Sequence, residues 1–122
     1  MNNSTMAFNP HLLFDLADKL CEDLNYEDEA RYRTSISRAY YAAYLTTRQK
    51  LESSGIIFTK ASTVHKEVSD ALRDTDRNAF NMLYYLRQKR NNADYDLDMK
   101  IQKGLAITCL KRSKIIIDKF ST

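Results

Sequence analysis

Small and apolar residues recur three and four positions apart along most of the chain, the spacing that places them on one face of an α-helix. The clearest stripe lies in the first half of the chain, at Ile36, Ala39, Tyr40, Ala43, Tyr44, Thr47 and Leu51. Asn25 can cap the start of this helix, the acidic residues 27–29 suit the positive end of its dipole, and Gly55 suits its C-terminal cap. The pattern predicts a long helix from about Asn25 to Ser53.

Four further helices follow from the same periodicity. The first covers about 10–24, because Asn9 and Pro10 supply an N-cap and a proline at the first helical position. A short helix opens at Ser62 or Thr63 and ends near Asp74. A fourth begins at about Asp76 and decays into the polar stretch 91–98, and the last covers about 98–120.

Each of these helices has a predicted inner face. The faces comprise Leu13, Leu16, Ala17, Leu20 and Leu24 in the first, Val64, Val68, Ala71 and Leu72 in the short one, Phe80, Leu83, Leu86 and either Tyr84 or Met82 in the fourth, and Ile101, Leu105, Thr108, Ile115, Ile116 and Phe120 in the last. No strand-like alternation occurs. We therefore predict an all-α fold, an antiparallel bundle of four long helices plus one short helix. It forms one domain over residues 1–122, with residues 1–9 flexible.

Composition supports a helical protein and narrows its class. The chain has 122 residues with only two glycines and one proline, which excludes collagen-like and low-complexity classes. No apolar run approaches the roughly 20 residues that span a bilayer, and the first nine residues lack the features of a secretion signal. We expect a cytoplasmic protein without membrane contact.

Charge is distributed unevenly although the net charge is only +3. Residues 1–30 carry one basic and seven acidic side chains, whereas residues 31–50 carry five basic side chains and no acid. This asymmetry suits either a nucleic-acid surface or an acidic first helix packed beside a basic second one. The sequence leaves both possibilities open.

Familiar catalytic and metal-binding patterns are missing from the sequence. The two cysteines, Cys21 and Cys109, are isolated, and the only histidines are His11 and His65. A structural zinc site, a disulfide framework and a Ser-His-Asp triad each need more than these residues offer. We expect no metal and no cofactor, and we expect both cysteines to be ordinary core or near-surface residues.

The segment Leu86–Tyr95 concentrates basic side chains near the end of the fourth helix. Arg87 and Arg90 share a helix face, and Asp94 stands four positions after Arg90, where it can pair with it. The simplest interpretation is structural, because basic residues near a helix C-terminus stabilise its dipole.

Three segments together resemble the HEPN (higher eukaryotes and prokaryotes nucleotide-binding) family. They are Ser37–Tyr44 in the long helix, Thr63–Lys66 at the start of the next, and Arg87–Tyr95. The resemblance covers roughly residues 10–120. It implies a bundle of four to five helices that forms a homodimer and often acts as a metal-independent ribonuclease. Many members are toxins of toxin-antitoxin pairs or antiviral defence effectors, commonly encoded beside a nucleotidyltransferase-like partner.

The resemblance also assigns candidate catalytic residues, which lie in a cleft between two protomers in active family members. Arg90 and Asn91 match the family's arginine and the polar residue after it, and Tyr95 stands nearest to where the family has a histidine. Arg90 can bind a phosphate, and Asn91 can orient the phosphate or the arginine. Tyrosine is a poor base at neutral pH, although Tyr95 can donate a proton or a hydrogen bond.

Four further residues are candidate nucleic-acid contacts: Arg87, Lys89, Arg38 and His65. His65 would lie near Arg90 if the third helix starts beside the end of the fourth; otherwise it is a surface residue. Arg38 is either an internal pairing partner or a phosphate ligand. Core packing is the default for Tyr40 and Tyr44 and for one of Tyr84 and Tyr85, whereas Tyr32, Tyr41 and Tyr95 can contact bases.

Two functional hypotheses follow from this sequence. In the first, the protein binds or cleaves RNA as a homodimer, with Arg90, Asn91 and Tyr95 of each protomer lining one cleft. In the second, the missing histidine leaves a non-catalytic module, which binds a nucleotide or a nucleotidyltransferase-like partner.

Overall fold

The computed structural model describes residues 7–59 and 62–121, and within them the protein is all-helical. The five helices are α1 (His11–Cys21), α2 (Asp28–Ser53), α3 (Val64–Thr75), α4 (Arg77–Tyr95) and α5 (Lys103–Phe120). They share one hydrophobic core, and no strand occurs in the described ranges. Three of the helices are long and two are short, because α1 is shorter than the periodicity predicted.

Helix α2 lies at the centre of the fold and contacts all four other helices. Every residue of its predicted stripe, from Ile36 to Leu51, is buried, which confirms that part of the prediction. Asn25 is not its cap, because the Glu27 side chain accepts the hydrogen bond from the Ala30 amide at 2.7 Å. At the other end Gly55 has a φ of 99° and its amide donates to the Glu52 carbonyl, a C-terminal cap as predicted.

Helix boundaries differ from the predicted ones where a distant arginine binds the backbone. Helix α1 ends at Cys21, whose carbonyl accepts from the Arg31 guanidinium of α2. Helix α4 does not end at Asn91 but continues to Tyr95. The Arg33 guanidinium donates a hydrogen bond to the Ala93 carbonyl at 2.9 Å. A carbonyl in the last turn of a helix lacks an intrahelical partner, so such a bond satisfies it.

The start of α5 is also later than predicted, at Lys103 instead of residue 98. The connection before it is held against α2 by two hydrogen bonds. Arg33 donates to the Met99 carbonyl at 2.5 Å, and the Ile101 amide donates to a Glu29 carboxylate oxygen at 3.2 Å. Ile101 is buried as predicted, but it packs from this connection and not from the helix.

The inner faces of the outer helices were predicted less well than that of α2. Leu16, Leu24 and Ile115 are at least half exposed, although the periodicity placed them in the core. The buried residues of α1 and α5 are Phe14, Ala17, Cys21, Ala106, Cys109, Leu110, Ser113, Ile116 and Ile117. Both cysteines are thus buried. A helix with apolar residues on more than one side has no unique inner face until its neighbours are placed.

The chain before α1 is partly held against the bundle. Pro10 is buried, the Phe8 carbonyl accepts from the Gln49 side chain at 3.3 Å, and Asn9 Oδ1 accepts from the His11 amide at 3.0 Å. The predicted flexible segment 1–9 otherwise lies outside the described residues, which begin at Ala7. Among the described helices, none is long and apolar enough to cross a membrane.

Candidate functional site

The Arg90 guanidinium is bonded to three side chains of its own helix. Its Nε donates to Asp94 Oδ2 at 2.8 Å and its Nη1 donates to Asn91 Oδ1 at 3.1 Å. A longer contact of 3.4 Å joins Nη2 to the Tyr95 hydroxyl. The last turns of α4 therefore bring together the three residues that the resemblance singled out, with Asp94 fixing the arginine.

Helix α2 holds this group from the other side. Ser37 Oγ donates to Asp94 Oδ2 at 3.1 Å and accepts from Arg38 Nη2 at the same distance. Ser37 is buried, so its hydroxyl is a fixed link between the two helices. Its position four residues before Tyr41 puts both on one face of α2, which is the signal in the sequence that points to Ser37.

Two guanidinium groups lie near the Tyr41 ring. The Arg38 Cζ is 4.9 Å and the Arg90 Cζ is 5.1 Å from the centre of its ring. A cation is attracted to the face of an aromatic ring, so Tyr41 favours keeping the two positive charges close together. Tyr95 adds a second ring, 5.3 Å from the Arg90 Cζ, and is 71% exposed.

His65 belongs to an aromatic cluster beside Tyr41. Its Nδ1 is 2.6 Å from the Tyr40 hydroxyl, and its ring stacks on that of Tyr44 with centroids 4.1 Å apart. The Tyr41 ring meets it edge-on at 6.0 Å. The start of α3 thus lies near the end of α4, and His65 is half-buried instead of being a surface residue.

The surroundings of His65 favour its neutral form. Burial is the largest cause that lowers its pKa, and the positive charges of Arg87, Arg90 and Arg48 lower it further. Burial raises the pKa of Tyr40, so its hydroxyl keeps its proton at neutral pH. Because both groups are uncharged, the direction of this bond depends on the tautomer of His65: Tyr40 donates when Nε2 carries the imidazole proton, and Nδ1–H donates to the Tyr40 oxygen when Nε2 is unprotonated.

The predicted nucleic-acid contacts divide into two locations. Arg38, Arg87 and His65 lie around the α2 tyrosines, and within the described residues neither Arg38 nor Arg87 has a carboxylate in ion-pair range. Lys89 is placed elsewhere, with its Nζ 5.3 Å from the Tyr85 ring, which also stacks against Arg112 of α5. We therefore define the Arg90 site as Arg38, Arg87, Arg90, Asp94 and Tyr41, with Tyr95 and His65 at its edges.

Other parts of the described chain add no competing centre. Three or more His, Cys, Asp and Glu side chains arranged to hold a metal ion are not found there. A pocket of about 420 Å³ lies between the segment before α1 and the ends of α2 and α5, and its lining includes none of the Arg90 site. Comparison of the chain with protein-family models, with curated proteins and with solved structures finds no match.

Proposed function

We propose that this protein is a metal-independent ribonuclease of the HEPN type, with its active site at Arg90. The observation that carries the proposal is the surroundings of this arginine. Asp94 fixes its orientation, the Tyr41 ring holds it beside Arg38, and neither Arg38 nor Arg87 is neutralised by a described carboxylate. Such a group of positive charges is suited to binding the phosphates of RNA.

The cleavage step can be assigned to residues of the site. The ribose 2′-oxygen attacks the adjacent phosphorus, the bond to the 5′-oxygen breaks, and a 2′,3′-cyclic phosphate forms. A base takes the 2′-hydroxyl proton and an acid protonates the departing 5′-oxygen. In the proposal His65 is the base through Nε2, in the neutral tautomer whose Nδ1–H donates to the Tyr40 oxygen, Tyr95 donates the proton, and Arg90 stabilises the charge on the phosphate oxygens.

The proposal includes a homodimer, which the HEPN resemblance implies. Two copies would place their Arg90 sites on either side of one cleft. Tyr95 supports an open site, because it is 71% exposed and lies next to Arg90 at the end of α4.

A second candidate function is a non-catalytic module that binds a nucleotide or a nucleotidyltransferase-like partner. One observation favours it: the Arg90 charge is already paired with Asp94 at 2.8 Å, and a tyrosine stands where the family has its histidine. Such a protein would bind a phosphate without cleaving RNA.

Incubation of tRNA and total RNA with the protein in EDTA distinguishes the two functions, since EDTA inactivates contaminating metal-dependent nucleases. Arg90→Ala is compared with Arg112→Ala. The control removes the same charge from α5, where Arg112 stacks on Tyr85 of α4. We expect cleavage by the wild type and by Arg112→Ala, and about a hundredfold loss or more in Arg90→Ala. His65→Ala and Tyr95→Phe should then each slow the reaction.

Melting curves show whether each variant is folded. If folded wild-type protein does not cleave RNA, the ribonuclease proposal fails. A rise in melting temperature with ATP or GTP, lost in Arg90→Ala, would then support the second function.

A further inference from the structure

The outer face of α4 carries a continuous exposed stripe that leads to the Arg90 site. Its members are spaced so that they lie within a narrow angle around the helix. They are Arg77, Tyr84, Gln88, Asn91 and Tyr95, and all five are exposed. Tyr84 is 54% exposed, so the core does not explain a large aromatic side chain at this position.

Tyr84 is part of a second group of aromatic rings and cations, about 1.7 helical turns before Arg90. Its ring stacks on that of Phe80 with centroids 6.2 Å apart. The Arg73 Cζ lies 5.6 Å and the Arg77 Cζ 6.0 Å from the centre of the Phe80 ring. Arg73 also forms an exposed pair with Asp70 at 3.4 Å, whereas Arg77 has no such partner among the described residues.

The stripe is free of negative charge between its ends. From Arg77 to Ala93 the helix contains no Asp or Glu. The two acids that flank this range are already engaged: Asp76 caps α4 and pairs with Lys119, and Asp94 binds Arg90 and Ser37. An acid-free helix face with two exposed tyrosines, Arg77 at its start and Arg90 beside its end has the chemistry of a surface for single-stranded nucleic acid.

We propose that this face of α4 binds single-stranded RNA, with one base stacked on Tyr84 and the strand continuing along the helix to Tyr95 and Arg90. The proposal rests on the proposed function and deepens it by naming the form of the substrate. Tyr84 and Tyr95 are eleven residues apart, about 16 Å along the helix. That distance is about five nucleotides at a stacked spacing of about 3.4 Å. A duplex hides the faces of its bases, so it could not stack on Tyr84.

The test measures binding of fluorescent RNA by anisotropy. The probes are a 12-nucleotide 2′-O-methyl oligoadenylate, which lacks the hydroxyl needed for cleavage, a four-nucleotide version, and a duplex of the longer strand. Tyr84→Ala is compared with Tyr84→Phe, which keeps the ring, and with Tyr26→Ala, which removes an equally exposed tyrosine outside α4.

We expect Tyr84→Ala to weaken binding of the 12-nucleotide strand about fivefold or more, while Tyr84→Phe and Tyr26→Ala bind like the wild type. We also expect wild-type protein to prefer this strand to the four-nucleotide strand and to the duplex. Equal affinities of Tyr84→Ala and Tyr26→Ala for the 12-nucleotide strand would overturn this proposal and leave the ribonuclease proposal intact. No binding of any probe by the wild type, together with no cleavage in EDTA, would overturn both.

Discussion

Two pairs of arginines have different surroundings in the fold. Arg31 and Arg33, at the start of α2, bind carboxylates and backbone carbonyls. Arg31 binds Asp28 and the Cys21 carbonyl, and Arg33 binds Glu29 together with carbonyls of α4 and of the connection to α5. Arg38 and Arg87 have no described carboxylate within ion-pair range.

The difference shows that some arginines stabilise the fold, whereas others keep a guanidinium group that can bind an external anion. Arg31 and Arg33 bind carbonyls at the ends of α1 and α4. Their guanidinium groups are therefore already occupied by the protein's own backbone and carboxylates. Arg38 rests on Tyr41, and Arg87 lies near enough to His65 to lower its pKa. Of the two pairs, only Arg38 and Arg87 can bind an added anion without giving up a carboxylate that they already bind.

The largest expected effect is the loss of stability in Arg33→Ala. This change leaves the Ala93 and Met99 carbonyls without their donor and removes the Glu29 ion pair. We expect the free energy of unfolding in urea to fall by about 2–3 kcal/mol. RNA affinity of the folded fraction should not change. A fall below about 0.5 kcal/mol would mean that Arg33 does not hold the α4–α5 connection.

A smaller effect is expected on RNA affinity in Arg87→Ala. The variant loses one positive charge near the proposed phosphate site but no hydrogen bond within the described residues. The slope of log affinity against log salt should become shallower by about one, and urea unfolding should change by less than about 0.5 kcal/mol. A slope equal to that of the wild type would show that Arg87 does not contact phosphate.

The smallest expected effect concerns the protonation of His65. Its pKa is lowered chiefly by burial and then by Arg87, so Arg87→Ala should raise it, whereas Arg33→Ala should leave it unchanged. The folded pKa lies below the unfolded value of about 6.5, so this histidine costs stability as pH falls through 6.5. Arg87→Ala should lose less stability in that range. Titration of the imidazole signals by NMR measures the pKa directly, and equal values in both variants would contradict the assignment.

Much of the architecture could be predicted from the sequence. The parts that could not be predicted depend on contacts between helices. The prediction of the α2 stripe from Ile36 to Leu51 was right because α2 lies at the centre of the fold and packs against all four other helices. The prediction that Leu16 and Ile115 are buried was wrong, because α1 and α5 have apolar residues on more than one side. The helix ends at Cys21 and Tyr95 depended on arginines of α2 that bind carbonyls of other helices.

The candidate site shows the same division. The pairing of Arg90 with Asp94 was predicted, because it depends only on a spacing of four within one helix. Lys89 lies against Tyr85 near α5, apart from Arg38 and Arg87, and its contact with nucleic acid stays a prediction. The contact of His65 with Tyr40 crosses from α3 to α2, and no spacing in the sequence could predict it.

The sequence by itself determined five helices, the buried stripe of α2 and the Arg90–Asp94 pair, because each depends on residues within a few turns of one another. The tertiary structure alone decided which arginines bind distant groups of the protein and which could still bind an external anion. A guanidinium is neutralised or satisfied by whatever carboxylate or carbonyl packing brings to it. For Arg33 the two carbonyls come from residues about sixty positions away, whereas packing brings no described carboxylate to Arg38 or Arg87.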